Sequence, residues 1–449
     1  MFSLCRLLYP VLYTLLMVAY LPLYFYRVIF GGKAWTPLLE RAGKLPSTLQ
    51  HLPPATGRRL WIHAVSVGEV NVIKALVPLL SKLSSQLFIS TTTATGQALA
   101  KSLFGDQATV FYCPLDWKWV IRRYLKVIAP DAVLFTETEL WPGFIQAAHS
   151  RGVPLVLVNG RISDRSFRRY RRIRVFIRPL LQRFRLLCVR TRQDKERIIA
   201  LGAPSDRVHQ LGNIKYDYQL AEDPAKADLV QRVGRLLKPS EDHLLWVCGS
   251  TREGEEERLL PIFMQLRSDI PQLRLLLAPR HPHRCDALVK RVRSSGLTTL
   301  KRSQLSAPAG SRSEGAKARP ALATPDVLIL DSIGELASLY QLADVVFIGG
   351  SLIPWGGQNV IEAAHFGKPI LFGPHMQNFR EVARSFVQAY AAIQVESATQ
   401  LAERVHHLLR DPHTRKWLGR NARTVVRANQ GAVQRTVEIL GQCLPEVET

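Results

Sequence analysis

Residues 60–83 read LWIHAVSVGEVNVIKALVPLLSKL, and the change of period inside them decides the fold. Leu60 to Val65 is a short apolar run with a β-branched end, the pattern of a strand buried on both faces. Ser66-Val67-Gly68 interrupts it, and Ile73, Leu76, Val77, Leu80 and Leu83 then recur at helical spacing. In open α/β sheets, ligands bind beyond the carboxyl ends of such strands. Glu69 stands at that turn. A carboxylate there can act as a general base if its pKa and reach suit the proton it takes. Equally, it can sit in the first helical turn because the helix dipole favours an acid. The residue alone does not separate the two.

Outward from this stretch the same alternation continues. Leu87–Thr92, Val110–Cys113, Ala132–Thr136, Leu155–Asn159 and Leu186–Arg190 read as further strands between helical segments. After a polar stretch at about 215–242, a second set begins with Leu244–Gly249, Leu273–Ala278, Val327–Asp331, Val345–Gly350 and Ile370–Gly373. Strands separated by helices imply parallel sheets built from βαβ units. The expected fold class is therefore α/β, with two Rossmann-like doubly wound domains facing a central crevice. Their expected bounds are residues 31–218 and 219–449, with the last helix packing back on the first domain. Lys301–Pro325, rich in Ser, Ala, Pro, Arg and Gly, reads as a flexible basic surface loop.

The 449 residues carry a net charge of +24, which points to an anionic partner: nucleic acid, acidic lipid or phosphorylated substrates. Leu7 to Tyr26 holds no charged residue, is rich in Leu and Tyr, and is expected to form an N-terminal membrane-anchor helix within residues 1–30. Basic residues follow that segment (Arg27, Lys33, Arg41, Lys44), so the bulk of the chain is expected on the cytoplasmic side. Residues 165–192 contain eleven arginines and no acid, and Phe167, Tyr170, Ile173, Ile177, Leu180 and Phe184 fall near helical spacing. That pattern reads as a basic amphipathic helix kinked or ended at Pro179, suited to a membrane surface or another polyanion, with an anionic lipid surface favoured. The six cysteines are scattered, with no CxxC pair and no histidine cluster at zinc spacing, so no metal site is expected.

The remaining chemistry sits at strand ends. Phe135-Thr136-Glu137-Thr138-Glu139-Leu140-Trp141-Pro142 places two carboxylates at the end of one strand, and Pro142 can begin the next helix. Asn159-Gly160-Arg161-Ile162-Ser163 and Gly212-Asn213-Ile214-Lys215-Tyr216-Asp217 also follow strands. In the second half Gly249-Ser250-Thr251-Arg252-Glu253-Gly254 opens a helix, a place suited to an anion. Pro279-Arg280-His281-Pro282 offers an arginine for paired contact with phosphate. Gly349-Gly350-Ser351 and Gly356-Gly357-Gln358-Asn359 allow close backbone approach, with Glu362 placed to reach ribose hydroxyls. No GxxxxGK[ST] and no GxGxxG after the first strand appears, which disfavours a P-loop NTPase and a dinucleotide oxidoreductase.

Taken in order, SVGE (66–69), TETELWP (136–142), NGRIS (159–163), GNIKYD (212–217), GSTREGEE (249–256), PRHP (279–282) and GGQNVIEAA (356–364) resemble the 3-deoxy-D-manno-octulosonic acid (Kdo) transferases of lipopolysaccharide synthesis. The glycine-rich segment reads GGQN where that family more often has GGHN. The resemblance implies a GT-B fold, with an acceptor-binding first domain and a CMP-Kdo-binding second domain. It also implies metal-independent, inverting transfer of Kdo from CMP-Kdo to a lipid A precursor (lipid IVA). Cofactors are then none, nucleic acid is not a partner, and the site of action is the inner membrane of a Gram-negative bacterium. Carried onto this sequence, Glu69 matches the family's catalytic base. Glu137 and Glu139 match its essential acidic motif, with Glu139 the closer participant. Arg280, Asn359 and Glu362 match the CMP-binding region, and Ser250, Thr251, Pro279, His281, Gly350, Gly356 and Gly357 are expected beside them. Arg161, Arg168, Arg169, Arg172 and Lys215 are the candidates for acceptor phosphates.

Overall fold

The computed structural model describes residues 9–19, 22, 36–53, 57–217, 223–305 and 323–444. They fall into two compact units, one holding the described residues up to Asp217 and those from Asn429 onward, the other those between.

The first unit is a seven-stranded sheet of β1 (Arg59–His63), β2 (Gln86–Thr91), β3 (Thr109–Tyr112), β4 (Ala132–Thr136), β5 (Leu155–Gly160), β6 (Leu186–Val189) and β7 (Val208–Gln210). All neighbours pair parallel in the order β3-β2-β1-β4-β5-β6-β7. The period-two pattern explains its two cores. Trp61, Val133 and Phe135 face one side with Phe144 and Phe184, while Leu60, Ile62 and Leu134 face the other with Leu76 and Leu80 of the helix Val67–Leu83. Both faces of β1 and β4 are buried, so their sequences read as continuous apolar runs. The strand order reverses between β1 and β4, which makes their carboxyl ends the switch point of this sheet.

The second unit repeats the design with β8 (Leu244–Thr251), β9 (Leu273–Pro279), β10 (Thr299–Lys301), β11 (Val327–Ile329), β12 (Val345–Ile348), β13 (Ile370–Phe372) and β14 (Ile393–Gln394). Its order is β10-β11-β9-β8-β12-β13-β14, again parallel, with the switch point between β8 and β12.

Three expectations need correction or limits. The arginine-rich segment is two helices, Asp164–Arg172 and Arg174–Leu181, broken at Ile173 where the backbone leaves helical geometry (φ −111°, ψ 29°). Pro179 lies inside the second helix, two residues from its end, where its missing N–H forgoes one hydrogen bond without ending the helix. Most of the expected anchor lies outside the described residues. Residues 9–19 are helical, and no helix among the described residues is long and apolar enough to cross a membrane. The 301–325 loop begins as structure, with Lys301 in β10 and Arg302–Gln304 in a 3₁₀ turn, while 306–322 lie outside the described residues.

The last helix, Ala432–Cys443, joins the first unit. Ala432, Val433 and Leu440 enter the core cluster of Leu60 and Ile62, and Asp217 accepts from the N–H groups of Gly431 (2.6 Å) and Val433 at the helix start. An aspartate there satisfies amides that the helix itself leaves unpaired.

Candidate functional sites at the two switch points

In the first unit Glu69 is the third residue of the helix that follows β1, and it is only 6% exposed. Its carboxylate accepts from the Val65 N–H at 2.7 Å and lies 3.4 Å from the Ser66 hydroxyl, so it also closes the turn that carries it. Burial pushes its pKa up to about 8. The Val65 N–H and Ser66 hydroxyl oppose that rise, and the Glu139 and Glu137 carboxylates add to it. Glu139 is raised as well, first by burial, against the pull of the Trp141 indole N–H at 3.1 Å. The Trp141 ring is backed edge-to-face by His63 at 5.8 Å. Burial drives the pKa of that histidine down to about 4, and its Nδ1 lies 3.0 Å from Ser90 Oγ.

Glu137 has a different environment. Its backbone is left-handed (φ 59°), and its carboxylate is ion-paired with Arg190, with Lys215 at 3.8 Å. The Arg190 side chain is 3% exposed, and its Nε donates to the Asn159 carbonyl at 3.1 Å. Asn159, also left-handed (φ 57°), accepts from the Ile214 N–H at 3.1 Å. Arg161 donates its N–H to Thr138 Oγ at 2.9 Å and takes that hydroxyl's hydrogen bond at its own carbonyl. Three segments that are far apart in sequence, 136–142, 159–163 and 213–217, are therefore tied together around one buried arginine. Strained backbone at both ends of the tie is typical of functional loops.

Of the proposed acceptor-side cations, Lys215 and Arg161 belong to this cluster. Arg168, Arg169 and Arg172 instead lie on the exposed side of the helix Asp164–Arg172, whose Phe167 and Tyr170 face the core.

In the second unit β8 bulges at its end, where Ser250 is left-handed (φ 56°) and Thr251 pairs with Pro279 of β9. Gly349 lets that turn close, because a Cβ there would sit 2.5 Å from the Thr251 Cα. The Arg280 N–H donates to the Thr251 carbonyl at 2.9 Å, and Gly357 donates to the Gly350 carbonyl at 2.7 Å. Asn359 accepts from the Ile361 N–H and donates to Glu362, both at 3.1 Å. The structure thus gathers Ser250, Thr251, Pro279, Arg280, His281, Gly350, Gly356, Gly357, Asn359 and Glu362 at the carboxyl edge of one sheet, with Ser250, Thr251 and Pro279 at the ends of β8 and β9, Glu362 on the short helix Ile361–His365 and the others on loops.

Four residues here were not anticipated. Glu255, with no solvent exposure, accepts the N–H groups of Arg252 (2.9 Å), Gly350 (2.6 Å), Ser351 (2.9 Å) and Leu352 (3.0 Å). Three of those amides lie on the glycine turn that was expected to allow close backbone approach, and they are committed to a protein carboxylate. Glu256 is paired with both terminal nitrogens of Arg284 at 2.9 and 3.0 Å. Arg252 lies against Trp355 and His281. Arg190 of the first unit was visible only as one arginine among eleven. Its position directly after a buried strand was the available signal. Among the described residues no group of three or more His, Cys, Asp or Glu is placed to hold a metal ion.

Residues 37–218 match the family described as 3-deoxy-D-manno-octulosonic-acid transferase (kdotransferase), and residues 316–425 match glycosyl transferases group 1. A 3-deoxy-D-manno-octulosonic acid transferase of Haemophilus influenzae is 33% identical over 392 residues, spanning 86% of this chain and 87% of its own. Among solved structures, UDP-GlcNAc 2-epimerase of Neisseria meningitidis aligns with a TM-score of 0.56 at 14% identity, over 86% of this chain and all of its own (100%). MurG of Acinetobacter baumannii aligns at 0.53 with 15% identity, over 86% and 99%. At such identities these structures speak for fold alone, two Rossmann-like sheets of the GT-B kind. The sequence relatives carry more: this chain belongs to the Kdo transferase family of glycosyltransferases.

Proposed function

We propose that the protein transfers Kdo from CMP-Kdo to a phosphorylated lipid A precursor (lipid IVA) by an inverting, metal-independent displacement. The observation that carries this reading is the switch point of the first unit, where a buried glutamate with a pKa near 8 stands among two further carboxylates. Glu69 takes the proton of an acceptor sugar hydroxyl. That oxygen forms the new bond to the anomeric carbon of Kdo as the bond from that carbon to the phosphate oxygen breaks and CMP leaves with the electron pair. Glu139, oriented by Trp141, stands nearest this proton transfer and keeps the Glu69 carboxyl basic. Glu137 serves the site by position, since Arg190 and Lys215 neutralise it.

At the second unit, Arg280 meets the donor phosphate, and Glu362, steadied by Asn359, reaches the ribose. With arginines supplying the positive charge, turnover should persist in excess EDTA. Lys215 and Arg161 face acceptor phosphate near Glu137, while Arg168, Arg169 and Arg172 face anionic lipid. The segment before residue 30 anchors the chain to the cytoplasmic side of the inner membrane of a Gram-negative bacterium. Supporting this, Val11, Leu12, Leu15, Leu16 and Val18 expose apolar side chains on the 9–19 helix. That helix is tied to the first unit by Tyr9 to Asp116 (2.6 Å) and by Trp117 to Thr14 (2.9 Å).

Glu69→Gln tests the reading. Loss of a general base costs about 100- to 10,000-fold in rate, so turnover should fall by that factor while CMP binding, measured by calorimetry, holds. Near-normal turnover would remove Glu69 from the role. A preference for UDP or GDP over CMP in competition would instead overturn the donor.

A further inference from the structure

Three arginines converge at the carboxyl edge of the second sheet, and their partners differ. Arg284 is fully engaged by Glu256. Arg280 and Arg252 form no ion pair with a carboxylate among the described residues. Arg280 is exposed and reaches outward. Arg252 is held. Its guanidinium lies 5.0 Å over the Trp355 ring, its Nη1 is 2.7 Å from His281 Nε2, and its Nε is out of solvent with no acceptor. Its backbone is pinned as well, through the N–H that donates to Glu255. Burial and the surrounding arginines lower the pKa of His281, which favours the neutral ring that this contact needs.

A planar guanidinium stacked on an indole has lost most of its rotamer freedom, so little more is lost when it binds an anion. The Gly350, Ser351 and Leu352 amides cannot serve that anion, because Glu255 already takes them. Side chains must do so. The donor of the proposed reaction carries two anionic groups, the phosphate and a carboxylate on the anomeric carbon, and two arginines here make no ion pair among the described residues. The fork of an arginine matches a carboxylate in two parallel hydrogen bonds.

We propose that Arg252, clamped between Trp355 and His281, binds the carboxylate of the donor sugar acid and makes this site select a sugar-acid nucleotide over a neutral one. The assignment rests on the Kdo-transfer reading. It gives Trp355, 52% exposed, a role as the wall that fixes the arginine.

The test is calorimetry on the full chain in detergent, with CMP and CMP-Kdo as separate probes against wild type, Arg252→Lys, Arg252→Gln and Trp355→Leu. Losing a charge-assisted pair costs about 10- to 100-fold in affinity. The arginine variants should weaken CMP-Kdo by that factor and leave CMP within about twofold, and Trp355→Leu should follow the same pattern more mildly. Retained CMP binding doubles as the check on folding, and Arg252→Lys carries the test if the Gln variant does not fold. CMP-Kdo affinity unchanged in Arg252→Lys and Arg252→Gln overturns the inference and leaves the reading standing. Equal weakening of both probes places Arg252 on the phosphate and also overturns it. A wild type that binds CMP but gains nothing from the sugar acid overturns the inference and the reading together.

Discussion

Glu69 accepts from a backbone N–H, yet its pKa is pushed upward because burial outweighs that single bond and the neighbouring acids reinforce it. Two consequences follow. The base of the proposed reaction must be ionised to work, so the rate at subsaturating acceptor should climb about tenfold per pH unit from pH 6 and level off above about 8. A profile flat over that range would contradict its role. Folding favours the protonated acid, and that contribution is complete below the ordinary value of 4.5 and lost as pH rises to about 8. The melting temperature of wild type minus that of Glu69→Gln should therefore fall across this window. The position of Glu69 was legible in the sequence, because a buried strand followed by Ser-Val-Gly announces a switch-point turn. The different surroundings of Glu137 and Glu139 were not. They depend on Arg190 and Trp141, and Arg190 arrives from a strand about fifty residues away.

Among elements, the long parallel strands were readable because both faces are buried and the runs are continuous. β10 and β14, with three and two residues, are too short to carry a period, and their pairing comes from the sheet edge they join. The turn after β12 was read correctly as glycine-dependent, but its amides face inward to Glu255. That carboxylate closes the loop against β8 from a distance in sequence that no local pattern encodes. Glu255→Ala leaves buried N–H groups unpaired. It should lower stability by about 3 kcal/mol or more in urea unfolding, with CMP affinity falling as the loop loosens. A loss under about 0.5 kcal/mol, the range of ordinary surface changes, would contradict the pinning.

At the scale of the molecule, the charge of +24 named the sign of the partner without naming the partner. The structure locates part of that charge on the exposed arginines of the helix Asp164–Arg172, with exposed Ile173 and Val175 beside them. Each basic residue near an anionic bilayer contributes about 1 kcal/mol. The triple change Arg168→Glu, Arg169→Glu and Arg172→Glu should thus weaken flotation with anionic vesicles at least about tenfold, and the difference from wild type should shrink as salt rises. Unchanged flotation at low salt would remove this face from the membrane. The central claim is the reaction itself, and mass spectrometry of the acceptor tests it most directly. After incubation of the folded wild-type chain with CMP-Kdo and a tetraacylated lipid A precursor, the acceptor should gain one or more Kdo units, and Glu69→Gln should leave it almost unchanged. An acceptor of unaltered mass, from wild-type protein shown to be folded and to bind CMP, would contradict the account.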